Sequence, residues 1–122
     1  MAPAGVPGSE AWARYGKQVV VVETSYPWTM ESRDAATNIM GNDEDLHEGY
    51  PPTPEGQATF LTEVRDAVRN VPDGLGAGIF YWAPEWIAID GVDSHWENAT
   101  LFDFEGKALP GLDTFSGGTL PR

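Results

Sequence analysis

Apolar residues are grouped along this chain in a pattern that predicts two buried strands joined through one amphipathic helix. Lys17–Thr24 contains four consecutive valines, which is typical of a parallel strand covered on both faces. Ala77–Trp82 forms a second apolar run of strand length. Between the two runs, Thr53 is a suitable N-cap residue ahead of Pro54, and apolar residues then recur at helical spacing as far as Val68. The order strand, helix, strand predicts a parallel α/β unit.

The segments that follow the strands are polar. Residues 29–52 form a long acidic stretch, and a loop of this length within a compact domain usually has a function. Residues 88–100 form a second polar loop. Leu109–Phe115 is a short apolar segment, which we predict to be a helix packed beside the second strand.

The predicted strands are too few to close a domain by themselves. Two parallel strands leave unpaired backbone groups along both edges, and a sheet of two strands is marginally stable at best. We therefore expect residues 11–115 to be part of a larger α/β structure. Residues 1–10 and 116–122 are rich in glycine and proline, and we expect both to be loose tails.

Charge and composition exclude several classes of partner. The 122 residues include 19 acidic and 7 basic side chains, for a net charge of −12. So acidic a chain is poorly suited to nucleic-acid phosphates or anionic membrane surfaces, and we expect neither as a partner. It has no cysteine, which excludes disulfides and thiolate metal sites. No apolar run reaches the roughly 18 residues of a transmembrane helix, and residues 1–10 lack the pattern of a signal peptide.

Glu23 is the first candidate for chemistry, because it lies at the end of the valine run. In α/β barrels the active-site residues lie at the carboxyl ends of the strands. Regular alternation places Val19 and Val21 on the same face as Glu23, so we expect its carboxylate to point into the mouth of a barrel. The alternative is an exposed glutamate at a strand exit with no chemical role.

Several aromatic side chains lie close behind the predicted strand ends, where packing of the core should be complete. Flat rings with carboxylates between them suit a sugar, because its C–H face stacks on the ring while its hydroxyls bond to the acids. The alternative is that some of the rings pack beneath the loops, and we favour that alternative for Tyr81. The set consists of Tyr26, Trp28, Tyr81, Trp82, Trp86 and Trp96.

The acidic stretch at residues 34–48 offers oxygen and nitrogen ligands, so a calcium site is a hypothesis to test there. Its spacing matches no EF-hand loop. A solvated acidic loop without a metal is the interpretation that we favour.

Glycoside hydrolysis with retention needs two carboxyl groups about 5–5.5 Å apart. Glu23 supplies one of them. Within this chain, Glu85 is the carboxylate of the second aromatic loop that could supply the other. A self-contained hydrolase that uses Glu23 with Glu85 is therefore one hypothesis.

Five separate motifs, in the family's order, resemble the endo-β-1,4-galactanases of glycoside hydrolase family 53. Together they cover roughly residues 12–115, and their combination is far more specific than any one of them. The motifs are Val19–Thr29 (VVVVETSYPWT), His47–Tyr50 (HEGY), Thr53–Gln57 (TPEGQ), Phe80–Trp86 (FYWAPEW) and Trp96–Phe104 (WENATLFDF).

The resemblance implies the C-terminal part of a (β/α)8 barrel, containing strands 7 and 8 with their helices. It implies that Glu23 is the nucleophile. The family's acid/base glutamate follows strand 4, in an Asn-Glu step that this sequence does not contain. Trp82 would lie at the end of strand 8 and, with Trp86, Trp28 and Tyr26, would contact the sugar. No cofactor is implied, since the calcium-binding pattern of some members is not reproduced at residues 30–47.

We therefore expect part of a retaining galactanase that acts on arabinogalactan side chains, with the nucleophile but without the acid/base. The family is typically secreted, so an extracellular location is expected. We expect the isolated chain to be inactive. Two alternatives stay open: a galactan-binding module without catalysis, and an inert gene fragment.

Overall fold

The computed structural model describes residues 14–116. The expected tail at residues 1–10 lies outside the described residues, as do residues 11–13 of the expected structured part and residues 117–122 of the second tail. Arg14–Gly16 form a turn, with Gly16 in the left-handed region at φ 61°.

Two parallel strands and one long helix form the framework of the described residues. Strand β1 spans Val19–Thr24, helix α1 spans Pro54–Arg69 and strand β2 spans Gly76–Tyr81. The strands are hydrogen-bonded to each other in parallel, which confirms the strand–helix–strand prediction. The segment predicted to be a helix at Leu109–Phe115 is a 3-10 helix, Pro110–Phe115.

Helix α1 begins where the sequence predicts. The Thr53 hydroxyl accepts the backbone N–H of Gly56 at 3.0 Å, and Pro54 occupies the first helical position, where its missing N–H costs nothing. The apolar face of the helix is buried. Its buried residues are Gly56, Gln57, Phe60, Leu61, Val64 and Val68.

The core lies between helix α1 and the loops that follow the two strands. Its buried cluster contains Tyr26 from the first of these loops, Phe60, Leu61 and Val64 from the helix, and Leu101 from the second loop. The Tyr26 and Phe60 rings are stacked with centroids 4.4 Å apart. The core therefore joins the regions beyond both strand ends.

The start of β2 lies directly against the end of helix α1. A Cβ atom at Gly76 would come within 1.7 Å of the Val68 carbonyl oxygen, which is far closer than two such atoms can approach. Glycine at position 76 thus permits the close contact between the strand and the helix.

The sheet is covered on one face only. Val21 and Ile79 pack against the core, whereas Val20 is 44% exposed and Val22 and Phe80 are each 63% exposed. Within residues 14–116 only one face of β1 is therefore covered, and the expected covering of its second face is not supplied by this part of the chain. The reason is that helix α1, the long element packed on the sheet, lies on a single face.

Residues 14–116 contain no helix that is both long and apolar enough to span a bilayer.

Candidate active site

Strand β1 carries a bulge at its carboxyl end. Val21 pairs with Ile79 and Thr24 pairs with Tyr81, so two residues of β1 stand opposite Phe80 alone. One of these two is Glu23, whose φ of 57° lies in the left-handed region. An extra residue in the left-handed region is a recognised way for a strand to turn a side chain away from its regular direction.

The bulge changes the face on which Glu23 lies. Thr24 is buried, whereas Glu23 and its neighbour Val22 are exposed. The expectation that Glu23 shares a face with Val19 and Val21 is therefore wrong, because those valines are half-buried towards the helix side. The extra residue interrupts the alternation and leaves the Glu23 carboxylate accessible at the strand end.

Backbone strain in the described residues is concentrated at the two strand ends. A non-glycine residue in the left-handed region costs about 1–2 kcal/mol. Within residues 14–116 three such residues occur, and one of them, Asp73, lies in a surface turn. The other two are Glu23 at the end of β1 and Ala83 just after β2. Such strain tends to cluster at functional sites.

Trp82 is held between the two strand ends through its backbone. Its N–H donates to the carbonyl oxygen of Thr24 at 3.0 Å, and its own carbonyl accepts the indole N–H of Trp96 at 3.2 Å. Its side chain is 37% exposed. An accessible indole is therefore fixed beside the residue that follows Glu23.

Three tryptophans form a cluster at the end of β2. The Trp82 and Trp96 rings meet edge to face with centroids 4.9 Å apart, and the Trp82 and Trp86 rings do so at 6.0 Å. Trp96 is buried, at 5% exposure, whereas Trp86 is half-buried. Trp82 and Trp86 thus present ring surface, and the buried Trp96 ring packs against that of Trp82.

Trp28 lies in the loop after β1 and is half-buried. Its indole N–H donates to the Glu97 carbonyl at 3.1 Å, and its ring is tilted against Phe104 at a centroid distance of 4.7 Å.

Tyr26 is a core residue. Its side chain is 1% exposed and its ring is stacked on Phe60. Its hydroxyl donates to the Tyr50 carbonyl at 2.6 Å and accepts the backbone N–H of His47 at 3.0 Å. The expectation that Tyr26 contacts a sugar is therefore wrong, because no face of the ring is free. The sequence gives no signal of this, since the stacking partner is 34 positions away in the chain.

Tyr81 packs beneath the loops, as the sequence analysis favours. Its hydroxyl donates to the Ala99 carbonyl and accepts the backbone N–H of Tyr26 at 3.2 Å. Burial raises the pKa of the Tyr81 hydroxyl well above the ordinary value for tyrosine. The residue therefore ties the two strand-end loops together and stays neutral.

Two loop carboxylates, those of Asp34 and Glu97, accept hydrogen bonds from backbone N–H groups of the loops. Asp34 accepts the N–H of Ser94 at 2.7 Å and that of Ala36 at 2.9 Å. The buried Glu97, which sequence reasoning missed, accepts the N–H of Arg33 at 2.5 Å through the same oxygen that accepts the Ser32 hydroxyl at 3.2 Å. These side chains fix the loop after β1 against the loop after β2.

The structure of residues 34–48 shows no group of side chains that could serve as calcium ligands. Across residues 14–116, no three or more histidine, aspartate or glutamate side chains are grouped in a way that could hold a metal ion. Asp34 is instead occupied with backbone N–H groups.

At the carboxyl ends of its two parallel strands the chain presents an exposed carboxylate, Glu23, and the accessible indole of Trp82. In α/β barrels the active-site residues lie at this end of the strands. Comparison with known proteins identifies the family. The sequence profile of glycosyl hydrolase family 53 matches residues 9–115, and the chain belongs to that family.

Individual relatives agree with this assignment. The chain is 39% identical over 103 residues to the arabinogalactan endo-β-1,4-galactanase of Cellvibrio japonicus, a match that covers 79% of this chain and 26% of that protein. It is 44% identical over 110 residues to a Niallia circulans protein described as "Uncharacterized protein in bgaB 5'region", covering 86% and 30%. The solved family 53 catalytic domain of Ignisphaera aggregans superposes with a TM-score of 0.76 at 37% identity, covering 84% and 31%.

These matches confirm both the family resemblance and the fold prediction. The β1–α1–β2 unit is part of the α/β barrel of a family 53 catalytic domain. The chain spans about a third or less of the length of each of these three relatives.

Proposed function

We propose that Glu23 is the nucleophile of a retaining endo-β-1,4-galactanase site, and that Trp82, Trp86 and Trp28 contact its sugar rings. The observation that carries the proposal is the bulge, which exposes Glu23 in a strained conformation beside the backbone of Trp82. The Cellvibrio japonicus relative is an arabinogalactan endo-β-1,4-galactanase, which suggests galactan as the substrate.

The chemistry proposed for Glu23 is direct attack. A carboxylate oxygen bonds to the anomeric carbon of a galactosyl unit, and the bond from that carbon to the leaving oxygen breaks with its electron pair. Water then hydrolyses the covalent intermediate and releases Glu23. An exposed carboxylate suits this role, because the attacking oxygen must reach a polymer in the cleft.

The aromatic side chains would hold the polymer over Glu23. Trp82 presents an accessible ring beside Thr24, the residue that follows the nucleophile. The Trp86 ring lies beside that of Trp82, with centroids 6.0 Å apart, and Trp28 lies in the loop after β1. Sugar C–H groups stack on such faces, so the rings would fix the anomeric carbon in position for attack.

We propose that the general acid/base comes from outside this chain. In the family resemblance that residue follows strand 4 of the barrel, and its Asn-Glu step does not occur in the sequence. A sugar alkoxide is a poor leaving group unless it is protonated. The isolated chain should therefore hydrolyse galactan far more slowly than an ordinary glycosidase does.

A substrate with an activated leaving group tests the nucleophile independently of the general acid. Dinitrophenolate leaves without protonation, so dinitrophenyl β-galactobioside needs a nucleophile alone for the first step. We expect the chain to release a single burst of dinitrophenolate, equal at most to the amount of protein, because hydrolysis of the intermediate lacks its base. Galactan itself should give almost no product.

Two variants, one test and one control, show whether the burst depends on Glu23. Glu23→Gln should abolish the burst, because an amide does not attack the anomeric carbon. Glu55→Gln, which changes an exposed carboxylate on helix α1, should leave the burst unchanged. An equal burst from the Glu23→Gln chain would refute the proposed nucleophile.

The same assay separates the other hypotheses. Rapid galactan hydrolysis that is lost in both Glu23→Gln and Glu85→Gln would favour a self-contained hydrolase. Binding of galactotetraose with no burst would favour a binding module. Neither binding nor burst would favour an inert fragment.

A further inference from the structure

We propose that Ser94 and Trp96 are positioning residues that hold the indoles of Trp82 and Trp86 in place. Both residues are buried, and neither is accessible to a polymer in the cleft. The inference rests on the proposed function, in which Trp82 and Trp86 contact the sugar.

Ser94 joins two of the tryptophans through its hydroxyl. The hydroxyl donates to the Trp86 carbonyl at 2.5 Å and accepts the backbone N–H of Trp96 at 3.0 Å. Its own N–H donates to the Asp34 carboxylate at 2.7 Å. The hydroxyl is fully buried, so water cannot replace either bond if it is removed.

Trp96, which is hydrogen-bonded to Ser94, in turn contacts Trp82. Its indole N–H donates to the Trp82 carbonyl at 3.2 Å, and its ring meets the Trp82 ring edge to face. The carbonyl belongs to the peptide that leads into Ala83, which is held in the left-handed region at φ 50°. The bond from Trp96 therefore fixes the orientation of a strained peptide, and with it the direction of the Trp82 ring.

The Trp82 backbone is consequently bonded on two sides, to Thr24 in β1 and to Trp96 in the loop after β2. Loss of the Trp96 bond leaves the ring attached to β1 alone. The ring would then occupy several orientations, and binding would have to restrict them at a cost in affinity. The attacking carboxylate of Glu23 would be unaffected.

The test uses Ser94→Ala and Trp96→Phe in the full chain. Ser94→Ala removes the hydroxyl and leaves little empty space, so it keeps the proposal testable if the larger change prevents folding. The matched control is Thr100→Val, which removes another buried hydroxyl, one that donates to the Phe102 carbonyl at 2.6 Å. All three variants should lose some stability, but the control should not disturb Trp82.

The first readout needs no sugar. Hydrogen exchange of the Trp82 amide, followed by NMR, reports the bond to Thr24. In Ser94→Ala and Trp96→Phe we expect Trp82 to exchange about tenfold faster relative to the helix amides of Leu61 and Val64. In Thr100→Val the ratio should stay as in the wild type. An unchanged ratio in both variants would overturn the proposal.

The second readout is the burst with dinitrophenyl β-galactobioside, resolved into a half-saturating concentration and a maximal rate. Both variants should raise the half-saturating concentration about tenfold, equivalent to about 1.4 kcal/mol of binding, with the maximal rate nearly unchanged. A fall in the maximal rate alone would overturn the positioning role. If the wild type shows no burst, the proposed function fails, while the exchange ratio still decides whether Ser94 and Trp96 hold Trp82.

Discussion

The backbone N–H of Trp82 donates a hydrogen bond of 3.0 Å to the carbonyl oxygen of Thr24, the residue directly after Glu23. This hydrogen bond connects the residue after Glu23, the proposed nucleophile, to Trp82, whose ring we propose to contact the sugar. Both residues lie next to strained peptides, since Glu23 and Ala83 are in the left-handed region. A substitution in the bulge of β1 should therefore alter the position of the Trp82 backbone.

The strain at Glu23 predicts a trade between stability and chemistry. Glycine adopts the left-handed region without the penalty of a Cβ atom, so Glu23→Gly should raise the free energy of unfolding by about 0.5–1 kcal/mol. Glu23→Ala keeps the strain and should give no gain. Urea denaturation of both variants measures this, and equal stabilities would show that residue 23 is not strained.

Ala83 offers the same test at the end of β2 without removing the proposed nucleophile. Ala83→Gly should stabilise the chain by about 0.5–1 kcal/mol. Ala77 is an exposed alanine within β2 and is the matched control. Ala77→Gly should instead destabilise the chain by a similar amount, because Ala77 is not in the left-handed region and glycine has more backbone freedom to lose on folding. Destabilisation by both changes would contradict the strain at Ala83.

Gln57 should be a major contributor to the stability of the strand-end loops. Its buried amide donates to the carbonyl oxygens of Tyr26 and Thr100, each at 2.9 Å. Gln57→Leu leaves the Thr100 carbonyl buried without a donor, at about 1–3 kcal/mol, and leaves the Tyr26 carbonyl only the Tyr81 hydroxyl at 3.2 Å. Thr62→Ala, which removes a half-buried hydroxyl on the same helix, should cost much less. Similar losses in urea denaturation would contradict this account of Gln57.

The raised pKa of the buried Tyr81 hydroxyl predicts that the chain loses stability at alkaline pH. Burial raises its folded-state pKa above the unfolded value of about 10, so its contribution is fully present below that pH and is lost as pH rises above it. Tyr81→Phe should be less stable than the wild type at pH 8, because it lacks the bond to Ala99. Its free energy of unfolding should nevertheless fall less steeply above about pH 10. Parallel pH profiles would show that Tyr81 does not titrate in this way.

The strand–helix–strand order was predictable because each element has a strong local signal. Consecutive valines define β1, and the Thr53-Pro54 cap followed by helical spacing defines α1. Two of the family motifs, Val19–Thr29 and Phe80–Trp86, also lie at the ends of the two strands, where the sequence places them. Local pattern was therefore sufficient for the framework.

The side-chain directions at the strand ends were not predictable from local pattern. The bulge at Glu23 depends on the pairing of β1 with a strand more than 50 positions away, and no glycine marks it. Burial of Tyr26 depends on Phe60, and the role of Ser94 depends on its bonds to Trp86 and Trp96. Long-range contacts decide which aromatic rings belong to the core and which remain accessible.

The measurement that tests the central claim most directly is the location of a covalent sugar on the chain. A galactobiosyl fluoride with fluorine in place of the hydroxyl beside the anomeric carbon reacts with a nucleophile and then hydrolyses very slowly. We predict that peptide mass spectrometry finds one galactobiosyl adduct, on the carboxylate of Glu23, and none in Glu23→Gln. An adduct on Glu85, or one that persists in the Glu23→Gln chain, would contradict the account.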